Sequence, residues 1–135
     1  MSASALVLTL FIAWTLLLLV VMEGLRTRLV VTGRMAPNAF QPDNANLSPF
    51  MQRLARAHAN CVESLPVFGG LLVVALATGR PEVTDPLAPW LLAARVVQSG
   101  LHLASLSPAA VSARFSAFAV QLAIAGYWTW ALLAR

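Results

Sequence analysis

The stretch Ser4–Met22, SALVLTLFIAWTLLLLVVM, decides the fold class, because it runs from Ser4 to Met22 without one charged residue. A helix needs about 20 apolar residues to cross a bilayer core, so this segment reads as a membrane span. A cleaved secretory leader is the competing reading. A leader calls for a basic start, a shorter apolar core and a small-residue cleavage site. No Lys or Arg precedes the run, and Glu23, Arg26 and Arg28 follow it, so the span is the expected reading.

Composition points the same way. Of 135 residues, 59% are hydrophobic and 10% charged, with a mean hydropathy of +0.77. Soluble domains carry about 25% charged residues, and so few charges cannot cover a water-facing surface. Disorder requires low hydrophobicity and high net charge, which this chain lacks. The net charge is +4, from nine arginines and no lysine against five acids. The arginines are scattered singly, without a basic stripe interleaved with aromatics, so nucleic acid is not an expected partner. The lone Cys61 excludes an internal disulfide, a Cys-rich metal site and the chemistry of membrane thiol oxidoreductases that work through cysteine pairs. No metal centre is expected.

Three more helices follow. The segment 35–47, MAPNAFQPDNANL, is a loop by its Pro, Asn and Asp content. Ser48-Pro49 is a helix start: the serine caps free N–H groups and proline fits the first helical position. Pro66 lies inside the second helix and should kink it, and Gly79-Arg80-Pro81 ends it. Thr84, Asp85 and Pro86 give the next cap-and-proline start, and Ser107-Pro108 the last. The aromatic GYWTW, 126–130, suits an interfacial belt. The expectation is a single domain, 1–135, and an all-α integral membrane protein: a four-transmembrane-helix bundle with helices over about 4–32, 49–79, 86–105 and 108–134.

Arginine counting sets the orientation. The first loop and its flanks hold Arg26, Arg28, Arg34, Arg53 and Arg56, and the third loop adds Arg114. The opposite side has Arg80 and Arg135, offset by Glu82 and Asp85. The positive-inside rule puts the first and third loops in the cytoplasm and both termini outside.

The first and last spans are clean enough to face lipid. The middle two carry ionisable groups, which usually face a bundle interior or a wet cavity. At about 100° per residue, Arg56, Asn60 and Glu63 share one narrow face of the second helix, with Arg53 beside it. Arg95, Gln98 and His102 share a face of the third. The two faces sit at similar depth, so a shared polar site is expected there. Structural pairing between the helices is the alternative. His58 points elsewhere and reads as a structural donor, Cys61 as a small buried apolar residue, and Glu23 with Arg26 as a local pair at the membrane surface.

The second-helix sequence RLARAHANCVESLPVFGG, Arg53 to Gly70, resembles the signature of the MAPEG superfamily, the membrane-associated proteins in eicosanoid and glutathione metabolism. The matching positions are Arg56, Ala57, His58, Asn60, Glu63 and Pro66. ARVVQSGLH, beginning at 94, is similar to the family's second motif, and SPAAVSAR, Ser107 to Arg114, to its entry into the last helix. The resemblance implies a bacterial-type member in an inner membrane: a homotrimer with glutathione as cosubstrate at the subunit interface near the cytoplasmic side, acting as transferase or peroxidase on small lipophilic substrates. By motif position, Arg56, Asn60 and Glu63 are glutathione contacts, supported by Arg34, Arg53, Arg95 and Gln98. Arg114 and His102 are the catalytic candidates. The residue types suit the ligand: arginine forks bind its carboxylates, glutamate its ammonium, and a guanidinium favours the thiolate. The chain departs from the family where Gln98 and His102 stand in place of tyrosines, and Arg114 sits a few residues late.

Two other functions fit less of the pattern. One is a non-catalytic member of the same fold that binds a lipid or another anion. The other is a small four-helix exporter, which needs a glutamate in the middle of its first span; Glu23 lies at the end of this one.

Overall fold

The computed structural model describes residues 1–134. Its helices are α1 (Ala3–Val31), α2 (Pro49–Ala77), a short α3 (Pro81–Thr84), α4 (Ala88–Ala104) and α5 (Pro108–Leu133). α1, α2 and α5 are long and apolar enough to cross a membrane. α4, at 17 residues, is shorter. α1, α2, α4 and α5 run up and down. Arg53 on the first turns of α2 reaches the Leu103 carbonyl at the end of α4, and Ser4 at the start of α1 meets Thr84 and Asp85 at the opposite end.

Serine caps account for the starts of α1, α2 and α5. The hydroxyls of Ser2, Ser48 and Ser107 accept from the N–H groups of Ala5, Met51 and Ala110, at 3.1, 3.3 and 3.2 Å. α2 runs on through Pro66 and stops at Gly79, whose φ of +67° suits a residue without Cβ. The N–H of Arg80 then bonds the Ala75 carbonyl at 2.7 Å and closes the turn. Thr84 and Asp85 do not open the next helix as the sequence suggested. They end α3, and the Asp85 carboxylate instead accepts from the Ser4 N–H at 2.8 Å. An anion there satisfies a free amide and the positive end of the α1 dipole.

The core lies in two apolar clusters. Val7, Phe11, Phe68, Leu72, Leu91 and Trp128 anchor the larger, near the chain termini. Leu18, Met22, Leu54, Ala55, Ala57 and Cys61 form the smaller, near the first loop. α1 and α2 close on each other at Gly69, where an added Cβ would stand 3.1 Å from a Leu8 methyl. Outward positions are apolar too, including Leu16, Leu17, Val73 and Val120. Thr9 and Thr15 bond back one turn, to the carbonyls of Ala5 and Phe11, so neither threonine hydroxyl is left free on the span.

Two arginines act as fasteners. Arg26 pairs with Glu23 at 3.3 Å, donates to Asn44 and the Gln41 carbonyl, and lies over the Phe40 ring, which folds the first loop onto α1. Arg80 donates to the carbonyls of Leu132, Ala131 and Ala134 at 2.9, 2.9 and 3.1 Å, capping the end of α5. A cation on those free carbonyls contributes up to about 2 kcal/mol in partly buried geometry. Arg80→Ala is therefore expected to lower the melting temperature in detergent by a few degrees. An unchanged melting curve would show that the cap adds nothing.

Candidate functional site

Arg95, Gln98 and His102 all turn from α4 into the bundle and are buried. Arg95 is fully enclosed, at 0% exposure. Its Nε donates to Gln121 Oε1 at 2.9 Å, and its Nη1 donates to Asn60 Oδ1. Gln121 Nε2 donates to Gln98 Oε1 at 2.9 Å, and Gln98 Nε2 donates to Asn60 Oδ1 at 3.1 Å. The four side chains close a ring that joins α2, α4 and α5 at the junction of the two apolar clusters.

No carboxylate pairs with Arg95 among the described residues; the ion pair found there is Glu23–Arg26. The rings of Phe11, Phe68 and Phe118 surround its guanidinium at 5.4, 5.7 and 5.9 Å from their centroids. Its Nη2 has no hydrogen-bond partner, so the π faces take the place of an acceptor there. Cys61 Sγ lies 3.9 Å from Nη1 and 3.5 Å from Ser99 Oγ, and the thiol is wholly buried.

A cavity of about 220 Å³ opens beside the ring, lined by Asn60, Gln98, Val111, Arg114, Phe115 and Phe118. Arg114, on the second turn of α5, thus shares a hollow with two members of the ring. A separate apolar hollow of about 290 Å³ lies between α1 and α4, against Leu10, Trp14, Leu17 and Leu92.

The expected meeting of the two polar faces is partial within one chain. Asn60 joins Arg95 and Gln98, and Arg53 Nε reaches the Leu103 carbonyl at 2.8 Å. Arg56 and Glu63 stay outside, both exposed. The reason is angular. With about 100° per residue, the order around α2 is Glu63, Arg56, Asn60, Arg53. The face straddles the edge of the α2–α4 contact, so its two inner members meet α4 and its two outer members do not. Arg56 lines a shallow hollow of about 210 Å³ with Pro42, Asp43, Ala55 and Ala59. Arg34 is exposed just past the end of α1. His102 is buried in the last turn of α4.

Gln121 was not among the residues picked out from the sequence, yet it holds two sides of the ring. A signal existed: it is a lone amide in the uncharged run from Phe115 to Ala134. An amide in mid-span needs a partner, since lipid offers none.

The model of the MAPEG family matches residues 4–134, nearly the whole chain, and the chain belongs to that family. With its three long apolar helices it is an integral membrane protein with an all-α bundle fold. No curated protein and no solved structure matches the sequence.

Proposed function

We propose that this MAPEG-family chain is a glutathione-dependent transferase or peroxidase for lipophilic electrophiles or hydroperoxides. It works as a homotrimer, with glutathione at the subunit interface on the cytoplasmic side and both termini outside. One observation carries the reading: Arg56 and Glu63 stand exposed on a membrane-spanning helix, with no ion-pair partner for either among the described residues. Charges facing hydrocarbon are costly. A second copy of the chain would shelter them, and a ligand with two carboxylates and an ammonium would pair with them. Glutathione has those groups.

In this reading Arg56 holds a carboxylate and Glu63 the ammonium. Asn60 and Gln98 hydrogen-bond the ligand from the cavity edge, and Arg34 closes over from the first-loop side. Arg53 and Arg95 act from behind, since Arg53 Nε and Arg95 Nε and Nη1 already serve the bundle. Arg114 faces the sulfur and His102 assists it. A guanidinium near the sulfur stabilises the thiolate, the form that attacks.

Isothermal titration of the detergent-solubilised protein with glutathione tests the reading, and no heat at millimolar ligand would overturn it. Arg114→Ala should keep the affinity within about twofold. It should lower turnover of an activated aryl chloride at least tenfold, one unit of thiol pKa being a factor of ten in thiolate. Equal turnover would remove Arg114 from the chemistry. A second reading, a non-catalytic binder of an anionic lipid, is favoured by Gln98 and His102 standing where the family's enzymes carry tyrosine. Glutathione-dependent turnover by the wild type would eliminate it.

A further inference from the structure

The ring has a direction. Arg95 carries only N–H donors, so the oxygens of Asn60 and Gln121 must face it. With Gln121 Oε1 taken, its Nε2 points to Gln98 and draws the Gln98 oxygen inward. Gln98 Nε2 is left to donate to Asn60 Oδ1, which thereby accepts twice. Every amide oxygen of the ring is turned to a donor inside it.

What remains for the cavity is donors. Asn60 Nδ2 has no partner among the described residues, Gln98 Nε2 has a second N–H, and Arg114 brings its guanidinium. The other lining side chains, those of Val111, Phe115 and Phe118, offer no acceptor. We infer that this cavity is polarised to receive a hydrogen-bond acceptor carrying negative charge, and that Gln121 is a positioning residue which sets that polarity through Gln98 without lining the cavity itself. The inference rests on the proposed glutathione site for its ligand, whose anionic sulfur is the atom seated there. Its geometry stands on the ring alone.

Gln121→Met tests it. The change keeps length and neutrality, leaves Arg95 in place, and removes both the acceptor for Arg95 Nε and the donor to Gln98. Gln98 is then free to turn its oxygen toward the cavity. The probes are glutathione sulfonate, anionic at sulfur, and S-methylglutathione, neutral there. Wild type should prefer the sulfonate at least tenfold. Gln121→Met should reduce that preference at least fivefold while changing affinity for the thioether less than twofold. A preference unchanged within twofold, or equal loss of both ligands with a lowered melting temperature, would overturn the inference.

The amide signals give a readout that does not depend on glutathione. In protein labelled with ¹⁵N at Asn and Gln side chains, Gln121→Met should shift the side-chain resonances of both Gln98 and Asn60 and leave Gln41 and Gln52 in place. Unmoved Gln98 and Asn60 signals would overturn the ring polarity. If wild type binds neither probe while these resonances do shift, the glutathione reading fails and the polarised ring stands.

Discussion

Arg56→Ala is expected to weaken glutathione binding at least thirtyfold while leaving the melting temperature unchanged. The two halves of that result have separate causes. Truncating one partner of a buried, hydrogen-bonded charge pair costs about 2 kcal/mol or more, which is about thirtyfold in affinity. In the proposed complex the pair is the Arg56 guanidinium with a glutathione carboxylate, sheltered from water by a neighbouring subunit. Within one chain, by contrast, Arg56 is exposed and the described residues give it no ion-pair partner. Its loss removes no packed contact from the core. Titration calorimetry and a melting curve on one preparation decide the matter. Unaltered affinity would detach Arg56 from the site. A large fall in melting temperature would make it a structural residue instead. Arg95 offers no such clean experiment, because its side chain is both enclosed by three phenyl rings and bonded to two amides.

The opposite pattern is expected at Trp128, the largest fully buried side chain. It packs in the larger cluster with Val7, Leu72, Leu91 and Ile124. Cutting a buried aromatic to alanine costs about 3–5 kcal/mol in water-soluble cores. In a bilayer the unfolded helices already sit in apolar surroundings, so the transfer part shrinks and the cavity part remains. Trp128→Ala should therefore fall at the lower end, about 3 kcal/mol, read as a clear loss of melting temperature. Trp128→Phe should recover most of it. The indole Nε1 is buried without a hydrogen-bond partner, so phenylalanine forfeits volume and no bond. If the Phe variant melts as low as the Ala variant, the indole N–H has a partner that the single chain does not reveal.

Much of the architecture is written in local stretches. Ser48-Pro49 and Ser107-Pro108 open helices because a hydroxyl and a proline ring act within one turn, needing nothing from elsewhere in the chain. Gly79 stops α2 for an equally local reason. Thr84-Asp85 carried the same kind of signal and was drawn away, because the free amides of α1 compete for the Asp85 carboxylate. That competition arises between residues 81 positions apart, beyond any local pattern.

The polar site divides along similar lines. Helical spacing put Arg95, Gln98 and His102 on one face, and all three are buried together. Spacing also grouped Arg56, Asn60 and Glu63, but a face about 60° wide is broader than the contact it borders. Where the α4 surface ends on that face depends on how the two helices cross. Gln121 went unread because one amide in an apolar run has no periodicity, and its meaning appears once α5 lies beside α4.

Membrane crossing as a bundle of helices and kinship with the MAPEG family are legible in contiguous residues: apolar length, caps and the Arg56-to-Pro66 motif. The tertiary structure alone decided that Asn60 turns inward while Arg56 and Glu63 turn out. It also decided that a glutamine from α5 completes the amide ring around Arg95. Hydrogen-bond polarity around a donor-only guanidinium is settled jointly by three helices, and no single helix carries the information.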